Sequence, residues 1–202
     1  WWTVMRKTDY NFKAPALPYP TSSYDQISQQ EYNKILRIYF NQLDASLQTA
    51  LDVGPYAAFT RVTSVPFASA DTEQVITYDA PTHNYDIDRG TPTSRIVFGQ
   101  SGEYLIAFTA QIYSTNSSTI HFYFFPKING TVVEGSTIKA NLHGNGETTV
   151  VSRSAIFSFN ADDYLEVACA CSSTSGSLNA FAATAFAPAT PSTTLAITRV
   201  SR

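Results

Sequence analysis

Three kinds of side chain in this sequence could do chemistry: two cysteines, three histidines and two aspartate pairs. Cys169 and Cys171 stand two apart in a strand-like run, so both point to one face. Neighbours in that relation form a disulfide only with strain. A Cys-x-Cys pair can ligate a metal, but no second Cys or His pair at ligand spacing accompanies it. Buried, reduced thiols are therefore expected, which fits folding in a reducing compartment. His83, His121 and His143 show neither His-x-His nor His-Glu-x-x-His spacing, which points to core or surface roles. Asp86 with Asp88, and Asp162 with Asp163, offer the oxygen ligands that calcium takes, yet polar turns explain both pairs more simply. Gly99-Gln100-Ser101-Gly102 starts like a nucleophile elbow and reads as a strand-to-strand turn. Asn116-Ser117-Ser118 and Asn129-Gly130-Thr131 match the glycosylation sequon and also read as turns. The expectation is a non-enzymatic chain with no catalytic residues, no metal and no cofactor.

Composition narrows the partners. The 202 residues have room for one well-buried β domain plus an extension. Only 14% are charged and the net charge is -3, so there is no basic field to neutralise phosphates, and nucleic acid is not an expected partner. No apolar stretch approaches the ~20 residues that span a bilayer, and the opening lacks the basic-then-apolar pattern of a signal peptide. Membrane insertion and export are not expected.

Three segments must position whatever function there is. Residues 1–27 form an extended arm rich in aromatics and proline, with Trp1, Trp2, Tyr10, Phe12, Tyr19 and Tyr24 set among Pro15, Pro18 and Pro20. Such a peptide cannot bury itself, so its aromatics either dock on another protein or fold back on their own domain. Residues 28–53 read as an amphipathic helix, running from about Gln29 to Leu51, with Ser28 as N-cap and Glu31 closing a capping box. Tyr32, Ile35, Leu36, Tyr39, Leu43 and Leu47 recur at spacings of three and four, opposite Lys34, Arg37, Asn41, Asp44 and Gln48. That stripe either covers the β domain or forms a short parallel bundle about a three-fold axis. Gly54 and Pro55 stop the helix.

Residues 54–202 read as a β domain. Tyr104, Ile106, Phe108, Ala110 and Ile112 alternate with a mixed second face, as in a central strand. Asn129-Gly130 signals a hairpin, and Pro126 argues for an edge or a bulge. Phe157 and Phe159 share a face, as do Leu165, Val167, Cys169 and Cys171. Strand-like runs at Phe181 to Phe186 and Leu195 to Val200 close the chain around a Pro188 to Pro191 turn. The fold class is mainly β: an antiparallel jelly-roll sandwich of about ten strands, preceded by an arm and one α-helix.

The order of landmarks after Pro55 resembles the trimeric jelly roll of tumour necrosis factor and of complement globular heads. It rests on Tyr85-Asp86-Ile87-Asp88 leading to Arg95-Ile96-Val97-Phe98 and Gly102-Glu103-Tyr104-Leu105-Ile106, then Lys127-Ile128-Asn129-Gly130-Thr131, then Asn160-Ala161-Asp162-Asp163-Tyr164-Leu165-Glu166-Val167. The ending Pro191 to Val200 looks more like phage structural proteins. The opening Leu17-Pro18-Tyr19-Pro20, Tyr24-Asp25-Gln26 and Tyr32-Asn33-Lys34-Ile35-Leu36 is similar to the start of virion proteins from marine tailed phages. Together these resemblances imply a homotrimeric fibre or a capsid or tail appendage, assembled in the host cytoplasm and located on the virion. The arm would bind other virion proteins (capsid, collar or tail), the helix would bundle, and the head would be displayed toward a host surface glycan or protein. A free soluble trimer of the lectin or cytokine kind is the alternative, and a glycan-degrading tailspike is a third reading.

Overall fold

The computed structural model of the chain describes residues 23, 25–51 and 54–201, the side chains of 45–51 excepted. The arm residues Trp1, Trp2, Tyr10, Phe12, Tyr19 and Tyr24 lie outside the described residues. The chain divides into two compact units, Trp1–Val53 and Gly54–Arg202.

The first unit carries α1 (Gln26–Leu51), which starts three residues before the expected Gln29. Its cap is Asp25, not Ser28. Asp25 Oδ1 accepts the Ile27 N–H at 3.1 Å, and Oδ2 accepts the Ser28 N–H at 3.2 Å and the Ser28 hydroxyl at 2.5 Å. Ser28 is therefore the third helical residue, bonded back to the cap. An aspartate outcompetes serine here because its charge also meets the positive end of the helix dipole. The Ser28 hydroxyl first, then the two backbone N–H groups, hold the Asp25 carboxyl below its ordinary value. Along the helix Tyr32, Ile35, Leu36, Tyr39 and Leu43 are half-buried, while Lys34, Arg37, Asn41 and Asp44 are exposed. Leu47 lies on the same helix, outside the described side chains. No described side chain of α1 is fully buried, and Phe40 and Ile38 are exposed beside the stripe.

The second unit is a sandwich of two antiparallel sheets. Sheet 1 contains β1 (Tyr56–Arg61), β2 (Val65–Pro66), β4 (His83–Tyr85), β7 (Gly102–Ser114), β11 (Thr148–Phe159), β13 (Gly176–Leu178) and β14 (Thr193–Ser201). Sheet 2 contains β3 (Gln74–Val75), β5 (Ile87–Arg89), β6 (Ile96–Phe98), β8 (Ile120–Ile128), β9 (Thr131–Val132), β10 (Ile138–Leu142) and β12 (Tyr164–Cys171). In sheet 1, β7 pairs with β11 on one side and with β14 then β13 on the other, and β14 leads through β1 to β4. In sheet 2 the order is β10, β8, β12, β6, β5, with β9 on β8 and β3 on β12. The chain passes from β7 across to β8, and from β10 across to β11 and back to β12. This cross-sheet wiring makes the fold a jelly roll.

Alternation puts the core between the sheets. Tyr104, Ile106, Phe108, Ala110 and Ile112 of β7 face Phe122 and Phe124 of β8, with Leu165, Val167, Cys169 and Cys171 of β12 also buried inward. At one end Phe98 stacks on Phe159 with ring centroids 3.8 Å apart, and Tyr104 meets Phe98 edge-on at 4.7 Å. The Tyr104 hydroxyl keeps a partner by donating to the Gln100 carbonyl at 2.7 Å. That carbonyl belongs to the expected 99–102 turn.

Two strand expectations are corrected. Pro126 lies in β8, an interior strand paired with β12 on one side. Its missing N–H falls where the other side is interrupted, because β10 pairs only as far as Phe124 and β9 begins at Lys127. The Pro126 carbonyl still accepts the Val133 N–H at 3.1 Å, so the proline sits at an irregularity within an interior ladder and the edge alternative alone is corrected. The run from Phe181 to Phe186 is not a strand either. It joins an excursion closed by one bridge between Phe181 and Thr190, and Phe186 stands 91% exposed. Its alanines and the flanking Pro188 and Pro191 offer neither β-branched bulk nor a full set of ladder donors. By contrast the Asn129-Gly130 hairpin forms as expected, with Ile128 opposite Thr131 and both turn residues at positive φ, 51° and 80°.

The aromatic cluster yields the first test. Phe98→Ala should lower urea stability by about 3–5 kcal/mol, while Phe186→Ala should stay within about 0.5 kcal/mol of wild type. Equal losses would mean that the Phe98 cluster does not anchor the sandwich.

Candidate functional site

The two outer faces of the sandwich differ in chemistry. On sheet 1 the pairings align residues from four strands into rows. Tyr56, Thr198, Leu105 and Ile156 form one row, Ala58, Ala196, Ala107 and Ser154 the next, and Thr60, Thr194, Thr109 and Ser152 a third. Gln111 opposite Val150 and Tyr113 opposite Thr148 extend the face. Tyr85 of β4 pairs with Tyr56, their rings 6.3 Å apart, and His83 stands beside Ala58. None of these positions holds Lys, Arg, Asp or Glu. Val150 is 60% exposed and Ile156 58%, with Tyr85, Tyr56 and Leu105 also open. The middle row is small enough to let another backbone approach closely.

Sheet 2 turns charge outward instead. Lys127 bonds Glu73 at 2.6 Å and stands opposite Glu166 on β12. Glu166, nearly buried, accepts the Ser94 hydroxyl at 2.8 Å and lies 3.6 Å from Arg95 Nε. Arg95 also covers the Tyr164 ring at 4.3 Å, and Lys139 covers Tyr123 at 5.6 Å. These cations lie on aromatic faces, an arrangement that suits a solvated sheet surface. Among the described rows of sheet 1 no charge appears on the outer face, and Glu103 lies at their border. Exposed apolar surface of that kind marks contact with another macromolecule.

Two of the solved structures to which the chain is similar show the extent of the likeness. One is the globular domain of zebrafish complement 1qA protein, 12% identical, matching 74% of this chain and 98% of that one with a TM-score of 0.45. The other is murine APRIL, 10% identical, matching 72% of this chain and 98% of that one, also at 0.45. No family model and no curated protein matches the sequence.

The residues singled out for chemistry are placed as follows. Cys169 and Cys171 are free and buried side by side on β12. Burial pushes the Cys169 thiol up to about 12, opposed only in part by its bond to the Gln74 carbonyl. Burial raises Cys171 as well. Both thiols are protonated at neutral pH, which makes them poor nucleophiles. His121 Nδ1 lies 2.7 Å from Asn141 Oδ1, and His143 Nδ1 lies 3.1 Å from Thr119 Oγ1. The two rings are thus tied to separate polar partners. Asp88 accepts from Asn84, and the Asp86 carboxylate crowds Gly99, where a Cβ would come within 2.1 Å of it. Among the described residues no group of three His, Cys, Asp or Glu is placed to hold a metal ion.

Asp163 joins two turns through its carboxylate. Its Oδ2 accepts the Asn160 N–H at 2.7 Å, and its Oδ1 accepts Asn129 Nδ2 at 2.7 Å. Asn129 Oδ1 in turn accepts the Tyr164 N–H. This network locks the 129–130 hairpin against the β11–β12 turn. Sequence reading placed both turns but not their contact, since the partners are 34 residues apart. The backbone bond from Asn160 first, then the Asn129 side chain, hold the Asp163 carboxyl below its ordinary 3.8.

A depressed carboxyl stabilises the fold above its unfolded pKa and loses that contribution as pH falls through the folded value. Asp163→Ala should therefore lower the urea midpoint at neutral pH, with the gap to wild type closing only as pH drops below about 3.8. Midpoints measured across that range check it. A gap of constant size would mean that charge plays no part.

Proposed function

We propose that this chain is a non-enzymatic virion structural protein, a homotrimeric fibre or a capsid or tail appendage that self-associates through the outer face of sheet 1. The observation that carries the reading is the set of uncharged rows from Tyr56 to Ile156, with Glu103 at their border, set against the charged outer face of sheet 2. A surface without charge but with exposed tyrosine, leucine and isoleucine has the composition of an interface core. The three-fold arrangement is what the resemblance to the tumour necrosis factor jelly roll implies. The virion role is what the resemblance of the opening residues implies, with the aromatic arm docking on the particle and the head displayed toward a host surface glycan or protein. The half-exposed stripe on α1 supports a second assembly element, because a helix of 26 residues gains little stability without burying its apolar face.

Nothing in the proposal needs catalysis. The thiols are protonated, and the Asp88 and Asp163 carboxylates are engaged in turns. In this reading the loop tip at Phe186 is the most open aromatic of the head and is a candidate for host contact.

Light scattering tests the assembly. The full chain should weigh about 67 kDa, three times its 22.2 kDa. Ala196→Arg, placed in the small-residue row, should reduce a 54–202 head to a monomer without lowering its strand content by circular dichroism. Leu36→Asp should weaken full-chain assembly by burying an unpaired charge. Monomers for both wild-type species would overturn the trimer. Removal of residues 1–24 should abolish particle incorporation, whereas a shortened chain that keeps ligand binding, from a parent that never enters particles, would favour a free binding module over an appendage.

A further inference from the structure

The sequence holds two Asn-Gly dipeptides, Asn129-Gly130 in the β8–β9 hairpin and Asn145-Gly146 in the turn between β10 and β11. Both asparagines are exposed, and both glycines have positive φ, 80° at Gly130 and 78° at Gly146. Such a pair is open to spontaneous deamidation, because glycine has no side chain to shield its nitrogen from the preceding amide carbon. By sequence alone the two sites are equivalent. Their surroundings in the fold are not.

Asn129 is held at both ends of its amide. Its Nδ2 donates to Asp163 Oδ1 at 2.7 Å, a charge-assisted bond, and its Oδ1 accepts the Tyr164 N–H at 2.9 Å. The Tyr164 hydroxyl also stands 3.3 Å from where a Cβ on Gly130 would lie, so that side of the turn is covered. The exposed Asn145 amide is bonded to no described residue, and apart from chain neighbours nothing lies within 4 Å of where a Cβ would stand on Gly144 or Gly146. Its loop is fixed at the base. There the Glu147 carboxylate accepts the His143 and Gly144 N–H groups, and the Gly146 N–H donates to the Ser114 carbonyl at 2.8 Å. To react, Asn145 needs the release of that one neutral backbone bond at an exposed tip. Asn129 needs the release of a charge-assisted bond and a second bond, which together lock two turns.

We propose that Asn145 is a site of spontaneous deamidation in the folded chain, and that Asp163 and Tyr164 protect Asn129 from the same reaction. The Gly146 nitrogen gives its proton to a solvent base, attacks Asn145 Cγ and forms a new C–N bond. The Cγ–Nδ2 bond breaks, and Nδ2 takes up a proton and leaves as ammonia. Water then opens the succinimide ring. Cleavage of the new C–N bond gives aspartate, and cleavage of the original peptide bond gives isoaspartate, which routes the main chain through the side-chain carboxyl. Either product adds a negative charge two residues from Glu147, whose carboxylate holds the base of the loop. At Asn129 the same conversion would replace a donor 2.7 Å from Asp163 by a second carboxylate, which like-charge repulsion opposes. The reaction belongs to a single chain and does not depend on how chains assemble.

Peptide mass mapping of the full chain held at mildly alkaline pH tests it, with the same chain in guanidinium chloride as the unfolded reference. In the folded chain Asn145 should convert faster than Asn129 by about tenfold or more, and the two rates should draw together on unfolding. Asp163→Ala should speed conversion at Asn129 and leave the rate at Asn145 unchanged. Asn145→Gln should remove the isoaspartate that the folded wild type accumulates first. If Asp163→Ala does not fold, the comparison of folded with unfolded wild type still decides. Equal rates at the two sites in the folded chain, or faster conversion at Asn129, overturn the proposal. So does a folded chain in which neither site converts while the unfolded reference does.

Discussion

The head depends on one constraint, the two-residue period of β7. This strand of 13 residues is paired along both edges, so each of its side chains must go either into the sandwich or out of sheet 1. The inward set, Tyr104 through Ile112, joins the buried core. Of the outward set, Leu105, Ala107, Thr109, Gln111 and Tyr113 carry no charge, and Glu103 places one at the start of the strand. Because register is propagated through β14, β1 and β11, the same choice is imposed on rows contributed by residues as distant as Ala58 and Ala196. A one-residue slip of β7 would send Leu105 and Tyr113 inward and expose Tyr104, Phe108 and Ile112. The core and the outer face are therefore specified together.

Sheet 2 shows what happens when the ladder is deliberately incomplete. Pro126 cannot donate, so β8 loses its neighbour between β10 and β9, and the turn over the gap supplies Ser136 in place of a strand. The Ser136 carbonyl then accepts from Arg153, which reaches it from the other sheet. An inward arginine in the row of Phe59, Leu195 and Phe108 is tolerable only at the outermost strand, where β11 has no neighbour beyond it. The proline, the turn and the arginine are consequences of one local interruption.

Much of this was readable in the residues, and the limits are instructive. The alternation of β7, the Asn129-Gly130 turn and the shared face of Cys169 and Cys171 all rest on local periods or turn chemistry, and each holds. The helix start was misplaced because Ser28 with Glu31 imitates a capping box, whereas Asp25 adds a charge to the same geometry. The run Phe181 to Phe186 misled by aromatic content alone, without β-branched neighbours. The outer face of sheet 1 was not legible at all. Its rows join β1, β7, β11 and β14, and no window along the chain contains Ala58, Ala107, Ser154 and Ala196 together. Arg153 was overlooked for a similar reason: whether it points in or out follows from its pairing with Phe108, not from its flanking serines.

The helix and the head raise the same physical question from two sides. Each has a surface that water receives poorly: the half-buried stripe from Tyr32 to Leu43, and the uncharged rows from Tyr56 to Ile156. Either surface alone is modest. In the proposed assembly they would reinforce one another, because copies brought together by one contact would hold the second at a high effective concentration. The gain does not require the two units to touch within a chain, only that the tether between them be short. In the sequence, α1 ends at Leu51 and β1 begins at Tyr56. In the proposed assembly, weak association at two linked sites would in this way add up to a stable oligomer while each face stays modest.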